Sequence, residues 1–131
     1  MKITFANRPL NPNGETPKNF FAQTLRKHQE ERAISAAKAS IFDRGNESVG
    51  VSFSIERAHS SEGAAELFAL THAATLSAGG SANLDFTSGE GSSKKTYTLE
   101  SAVASKIKIT ADSLMTATAY EFVGTSIIEK Q

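Results

Sequence analysis

The chain has 131 residues, no cysteine and a formal net charge of zero. Its length fits one domain able to bury a core without crosslinks, and the missing thiols exclude disulfides and cysteine-based zinc sites. Residues 1–60 carry nine Lys/Arg against six Asp/Glu, and residues 61–131 five against eight. That leaves no basic surplus of the kind a dedicated nucleic-acid binder needs; it permits head-to-tail contact between unlike faces of identical subunits, with chance as the plain alternative.

Met1-Lys2-Ile3-Thr4-Phe5 lacks the apolar core of a secretory signal. The most apolar stretch, Leu67 to Leu76, is broken by Thr71 and His72 and is too short to span a membrane. A soluble protein made in the cytoplasm, with no membrane partner, is expected. Residues 2–6 read as a short strand with Ile3 and Phe5 on one face. Residues 7–19 hold three prolines, four asparagines and a glycine, which predicts a long N-terminal loop. Helix formers are frequent from Ala22 to Ala39, yet helical apolar spacing lapses after Phe21 and Leu25. From Ala33 onward Ala37, Ala39 and Ile41 share a strand face, so a strand is predicted over 33–43. Residues 20–32 stay open between helix, strand and order gained only on assembly.

The turn chemistry of Asp43-Arg44-Gly45-Asn46-Glu47 leads into a clear alternation. Val49, Val51, Phe53 and Ile55 face one way and Ser48, Gly50, Ser52, Ser54 and Glu56 the other. This predicts a half-buried strand, paired in a hairpin with 33–43. Ser60 and Ser61 offer N-cap hydroxyls and Glu62 a first-turn carboxylate. A helix is predicted over 61–77, with Leu67, Leu70, Thr71 and Ala74 as its buried stripe and Phe68 beside it. Gly79-Gly80 supplies the stop. The remainder reads as a short strand at 83–87, a flexible loop at 88–95 and strands over 96–103, 104–112 and 117–128. Tyr97, Leu99 and Val103 face the core in the first of these long strands. Ile107 and Ile109 oppose Lys106 and Lys108 in the second, and Tyr120, Phe122 and Ile127-Ile128 mark the third. The sum is a mainly β (α+β) single domain over 1–131: an antiparallel β-sandwich or small open barrel with one packed α-helix.

No chemical motif holds its required spacing. Gly89-Glu90-Gly91-Ser92-Ser93-Lys94 resembles a phosphate loop, but a strand follows it where a helix is needed. Gly79-Gly80-Ser81 stands between helix and strand in the wrong order for a nucleophile elbow. His59 and His72 could join Asp43 or Asp85 around a metal, but His72 has no ligand type three or four residues away, and a solvated or capping histidine is expected. Glu62 and Glu66 sit at i, i+4 on a solvated helix face, and the charges from Arg26 to Arg32 largely compensate one another. Asn46-Glu47-Ser48 matches a glycosylation acceptor, with no consequence expected where no signal peptide is read. No catalytic residue, cofactor or metal is therefore assigned, and an enzyme is not expected.

Val51 to Phe68 runs as an alternating strand ending in Arg57, a Ser-Ser-Glu cap and a helix beginning Ala64-Ala65-Glu66-Leu67-Phe68. After the glycines come Leu84-x-Phe86, a loop, Tyr97-x-Leu99 and Tyr120-Glu-Phe-Val-Gly124. This order of elements, over 33–128, resembles the tail-tube and related tail or baseplate proteins of bacteriophages. The helix formers of 22–39 depart from it, since the resemblance expects strand there. It implies a virion structural protein that self-assembles into rings, as stacked hexamers with other tail proteins, and takes DNA only as non-specific cargo of a tube. It also makes the two loops candidate subunit contacts, through Asn11, Pro12, Asn13 and Gly14 in the first and Gly89, Glu90, Gly91, Lys94 and Lys95 in the second. The competing readings are a small monomeric binding or adaptor module acting through its loops, and another tail-end, connector or baseplate component.

Overall fold

Alternation sets the first strand and a tight turn reverses it. The computed structural model describes residues 1–26, 47–78, 80–89 and 91–130. Strand β1 (Lys2–Phe5) buries Ile3 and Phe5. Ala6 and Asn7 both take positive φ (52° and 66°), the geometry of a primed two-residue hairpin turn, and β2 (Arg8–Pro9) returns alongside β1. The segment expected as a loop over 7–19 thus contains a two-residue strand and the start of another, β3 (Lys18–Arg26). Leu10 and Asn11 between them are buried.

Strand β4 (Glu47–Ala58) follows its alternation: Val51, Phe53 and Ile55 are buried. The strand expected at 33–43 lies outside the described residues. Among the described residues β4 pairs on one side with β3, in register from Phe21↔Ser52 to Arg26↔Glu47. Residues 20–26, open between helix and strand on sequence grounds, are strand here. Their helix-forming composition is overridden by pairing with β4.

Helix α1 (Glu62–Ala78) begins as expected. Ser61 Oγ accepts the Ala64 N–H at 3.1 Å, an N-cap bond, and Gly80 at φ +67° donates to the Ser77 carbonyl past its end. Then follow β5 (Ala82–Ser88), a 3₁₀ turn (Gly91–Ser93), β6 (Lys95–Asp112), β7 (Met115–Gly124) and β8 (Ile127–Lys130). The two strands expected over 96–103 and 104–112 are one continuous strand, and the strand expected over 117–128 is divided between β7 and β8.

Strand β6 belongs to two sheets. Its first part pairs with β5 and β8, in a sheet continued by β1 and β2. Its second part pairs with β7, in a sheet continued by β4 and β3. Between them Ser101 takes φ 51°, and the register shifts between Ala104 and Lys106, as bulges do where a strand bends from one sheet into the next. Opposite this bend Gly124 has no room for a side chain, since a Cβ would lie 2.6 Å from the Glu100 carbonyl oxygen. Against β5 the register shifts between Leu84↔Leu99 and Ala82↔Ala102, which inverts parity, so Val103, expected in the core with Leu99, is exposed while Leu99 is fully buried; Tyr97, also expected in the core, is exposed near the strand's start.

The whole is an open antiparallel β-structure, not a closed barrel, with one helix among the described residues. Inner faces of the two sheets meet through aromatic rings. Phe5 and Phe122 lie 5.0 Å apart by centroid, Phe53 and Phe86 6.2 Å, and Phe20 packs on both Phe53 and Phe86. Helix α1 packs against β6 and β7.

The face that α1 buries corrects the expected stripe. Ala65 and Leu76 are buried and Phe68, Ala69, His72 and Ala73 half-buried, whereas Leu67 and Leu70 are 61% and 79% exposed and Thr71 and Ala74 are exposed. Both sets recur at helical spacing. The sheet selects the one carrying Phe68 and His72 because it can engage the polar end of β4 and β7, as follows.

Candidate functional site: a two-loop cleft and a buried arginine cluster

The two loops expected at subunit contacts come together at one end of the molecule. Pro12 and Gly14 from the first and Gly89 and Lys94 from the second wall a cleft of ≈ 1050 Å³. Its floor is the outward face of β1, β5, β6 and β8, where Asp85 accepts a hydrogen bond from Thr98 and the Thr87 and Thr96 hydroxyls lie 3.0 Å apart. Among the described residues, Lys2, Lys94 and Lys130 line it against a single carboxylate, Asp85, so this part of the lining is cationic.

The loop residues differ in what they can offer. Asn11 points inward. Its Oδ1 accepts from the Ile3 N–H at 2.9 Å, and its Nδ2 donates to the Met1 and Glu15 carbonyls at 2.7 and 2.8 Å. It substitutes for a missing strand neighbour of β1 and has no amide left for a partner molecule. Pro12, Asn13, Gly14, Gly89, Gly91, Lys94 and Lys95 are exposed, and Glu90 lies outside the described residues. Gly89 is structural as well: at φ +90°, a Cβ there would meet the Ser93 carbonyl oxygen at 2.6 Å. Lys95 pairs loosely with Glu129 at 3.9 Å.

A second constellation was not anticipated. Arg57 continues the inward parity of β4 past Ile55 and is 7% exposed. Its Nη1 donates to Thr118 Oγ1 at 3.1 Å, and its Nη2 donates to the Tyr120 hydroxyl at 2.7 Å and to the Leu10 carbonyl. The guanidinium carbon lies 4.8 Å from the centroid of the Phe68 ring, a cation–π distance. Phe68 in turn stacks on His72 at 4.4 Å and touches His59 at 5.1 Å.

His72 Nε2 lies 2.6 Å from the Tyr120 hydroxyl. With its proton on Nδ1, a neutral His72 can accept the phenol proton while the same oxygen accepts from Arg57. Burial first, and the Arg57 charge second, lower the His72 pKa from 6.5 to about 4. Burial raises the Tyr120 phenol above its ordinary value, and Arg57 acts against that rise. His59 shares a hydrogen bond of 2.8 Å with Thr116. Neither histidine is the solvated or capping residue expected: each is hydrogen-bonded to a β7 side chain. Asp85, proposed beside them as a ligand on sequence grounds, is held by Thr98 on the outward face of the other sheet, and Asp43 lies outside the described residues.

Chemically the cluster joins elements. It ties the first loop (Leu10), β4 (Arg57), α1 (Phe68, His72) and β7 (Thr118, Tyr120) through one buried cation and its acceptors. Every described buried side-chain nitrogen and oxygen has a hydrogen-bond partner, so the cluster is satisfied internally. The cleft instead offers exposed cations and hydroxyls to an outside group. One signal could have found the cluster: period two on β4 and β7 places Arg57, Thr116, Thr118 and Tyr120 on the same inner face as Ile55 and Phe122. Compared with known proteins, the chain matches no family model, no curated protein and no solved structure.

Proposed function

We propose that the protein is a non-enzymatic structural subunit that assembles into rings, as a phage-tail or tail-like component does. One observation carries this reading. The sheet built from β3, β4, β7 and the second part of β6 ends in two long edges. Among the described residues no strand pairs with β3 beyond β4, or with Val103–Asp112 beyond β7. Unpaired edges invite a strand from another chain. Two different edges on one sheet make a heterologous contact, which closes a ring when the rotation between copies permits. The middle of that sheet's outward face is polar, with Ser52 opposite Glu121, Ser54 opposite Ala119, and Lys106 and Lys108 on the neighbouring strand, while Phe21 and Val103 are exposed toward its two edges. The polar middle suits contact with water in a lumen, and the apolar margins suit contact with neighbouring copies.

Light scattering with negative-stain microscopy of the purified protein tests the reading. Rings or tubes that grow with concentration are expected. A strictly monomeric species at high concentration, also in the presence of a nucleating partner, overturns it. The cationic two-loop cleft favours a second reading, a monomeric module that binds an anionic partner there. Saturable binding by a monomer, abolished by Lys94→Glu, would select that reading.

A further inference from the structure

The exposed stripe of α1 has a counterpart on the same molecule. Leu67, Leu70 and Ala74 point away from the buried stripe of Ala65, Phe68, His72 and Leu76. Glu62 and Glu66 are exposed on the same half of the helix, which contains no lysine or arginine. At the other end of α1, Phe5, Ala6, Thr75, Leu76 and Ala78 form an open groove of ≈ 430 Å³ with Arg8 in its lining. One surface is an apolar ridge flanked by carboxylates, and the other an apolar groove lined by one cation. Glu62, Glu66 and Arg8 make no ion pair among the described residues.

We propose that Leu67 and Leu70 of one copy insert into this groove on a second copy, with Glu66 facing Arg8. Two features favour a second copy as the occupant: the signs of charge are complementary, and a chain that exposes leucines at 61% and 79% also carries a groove that can cover them. Ridge and groove are separated along α1 by roughly 12 Å, at a rise of about 1.5 Å per residue. A copy therefore cannot fill its own groove, and ridge meets groove only between copies, reciprocally where two α1 helices pack antiparallel or head to tail along a series. The proposal rests on the assembly reading above and gives it a second contact, distinct from the sheet edges.

Two experiments separate failure of this contact from failure of ring assembly. In the first, Leu67→Ser/Leu70→Ser is compared with the wild type by sedimentation velocity. Circular dichroism should be unchanged, because both side chains are exposed, and self-association should weaken roughly tenfold or more for each leucine removed from the contact. Arg8→Glu should weaken association similarly, and Arg8→Glu combined with Glu66→Arg should restore it. A wild type that forms rings alongside a serine variant that forms them equally well overturns the contact and leaves the ring reading standing. The second experiment needs no rings. The chain has no cysteine, so Leu70→Cys and Ala78→Cys chains can be mixed under oxidant at high concentration. Disulfide-linked heterodimers well above the share that random pairing of equal amounts gives support the contact even if no ring forms. Crosslinks that are absent, or random between the two chains, overturn it.

Discussion

The inner face of the four-stranded sheet is covered in two ways. Toward the first sheet, Phe20, Phe53 and Phe122 meet Phe5 and Phe86, and the contact is ring against ring. Toward α1, the same strands present Arg57, Thr116, Thr118 and Tyr120, and the contact is a hydrogen-bonded cation beneath Phe68 and His72. The aromatic end depends on shape and volume, which pH does not alter. The polar end depends on every donor meeting its acceptor, so protonation or a lost partner disturbs it. Two helix faces had similar apolar content. The one that is buried completes the polar end, which indicates that specificity of docking, more than greasiness, orients α1.

The largest expected effect comes from breaking the aromatic end. Phe53 stacks on Tyr120 at 5.1 Å and touches Phe20, Phe86 and Phe122, so Phe53→Ala should cost about 3–5 kcal/mol in urea unfolding. A loss under about 1 kcal/mol would mean that the neighbouring rings close the cavity. Removing the cation is next. Arg57→Ala strands the Leu10 carbonyl and removes a donor from Tyr120 and Thr118, and should cost about 2–3 kcal/mol. Arg57→Lys should recover less than half of that, since an ammonium cannot span the same acceptors as a planar fork; full recovery would reduce the cluster to a simple charge.

The smallest effect is a pH dependence confined to the polar end. The folded state keeps His72 neutral down to about pH 4, while the unfolded chain takes up the proton near 6.5. Between those values the unfolded state binds more protons, so stability falls as pH is lowered from 6.5 toward 4 and levels off below. The whole shift corresponds to about 3 kcal/mol; with His72 only half-buried, screening reduces this to on the order of 1 kcal/mol. His72→Gln, which retains an acceptor for Tyr120, should flatten this part of the profile in denaturant midpoints taken from pH 7 to 4. An unchanged slope would assign the dependence to other groups.

How much of this was legible in the sequence follows the local signals. The alternation of β4 and the Ser61 cap and Gly80 stop of α1 are encoded by neighbours in the chain, so those elements and the mainly β fold, with its one helix among the described residues, could be read directly. The buried face of α1 could not, because Leu67 and Leu70 are as well spaced as Phe68 and His72 and the choice is made by side chains on β4 and β7. Strand β3 was hidden by the prolines and asparagines before it and by the helix formers that follow. The continuity of β6 was hidden by Ser101, whose left-handed backbone leaves no mark in hydrophobic periodicity. Of the expected contact loops, the convergence of Pro12 and Gly14 with Gly89 and Lys94 is a tertiary fact, whereas the Arg57 cluster lay within reach of strand parity.

Because β6 serves both sheets, neither layer can be peeled away while the other stays intact. Opening the first sheet frees Lys95 to Ala102, and those residues are covalently continuous with the edge that holds β7 through Val103 to Asp112. The strand shared across the bend at Ser101 couples the two layers, so unfolding is expected in one transition, with the slowest-exchanging amides around the shared strand and fraying at the outer edges.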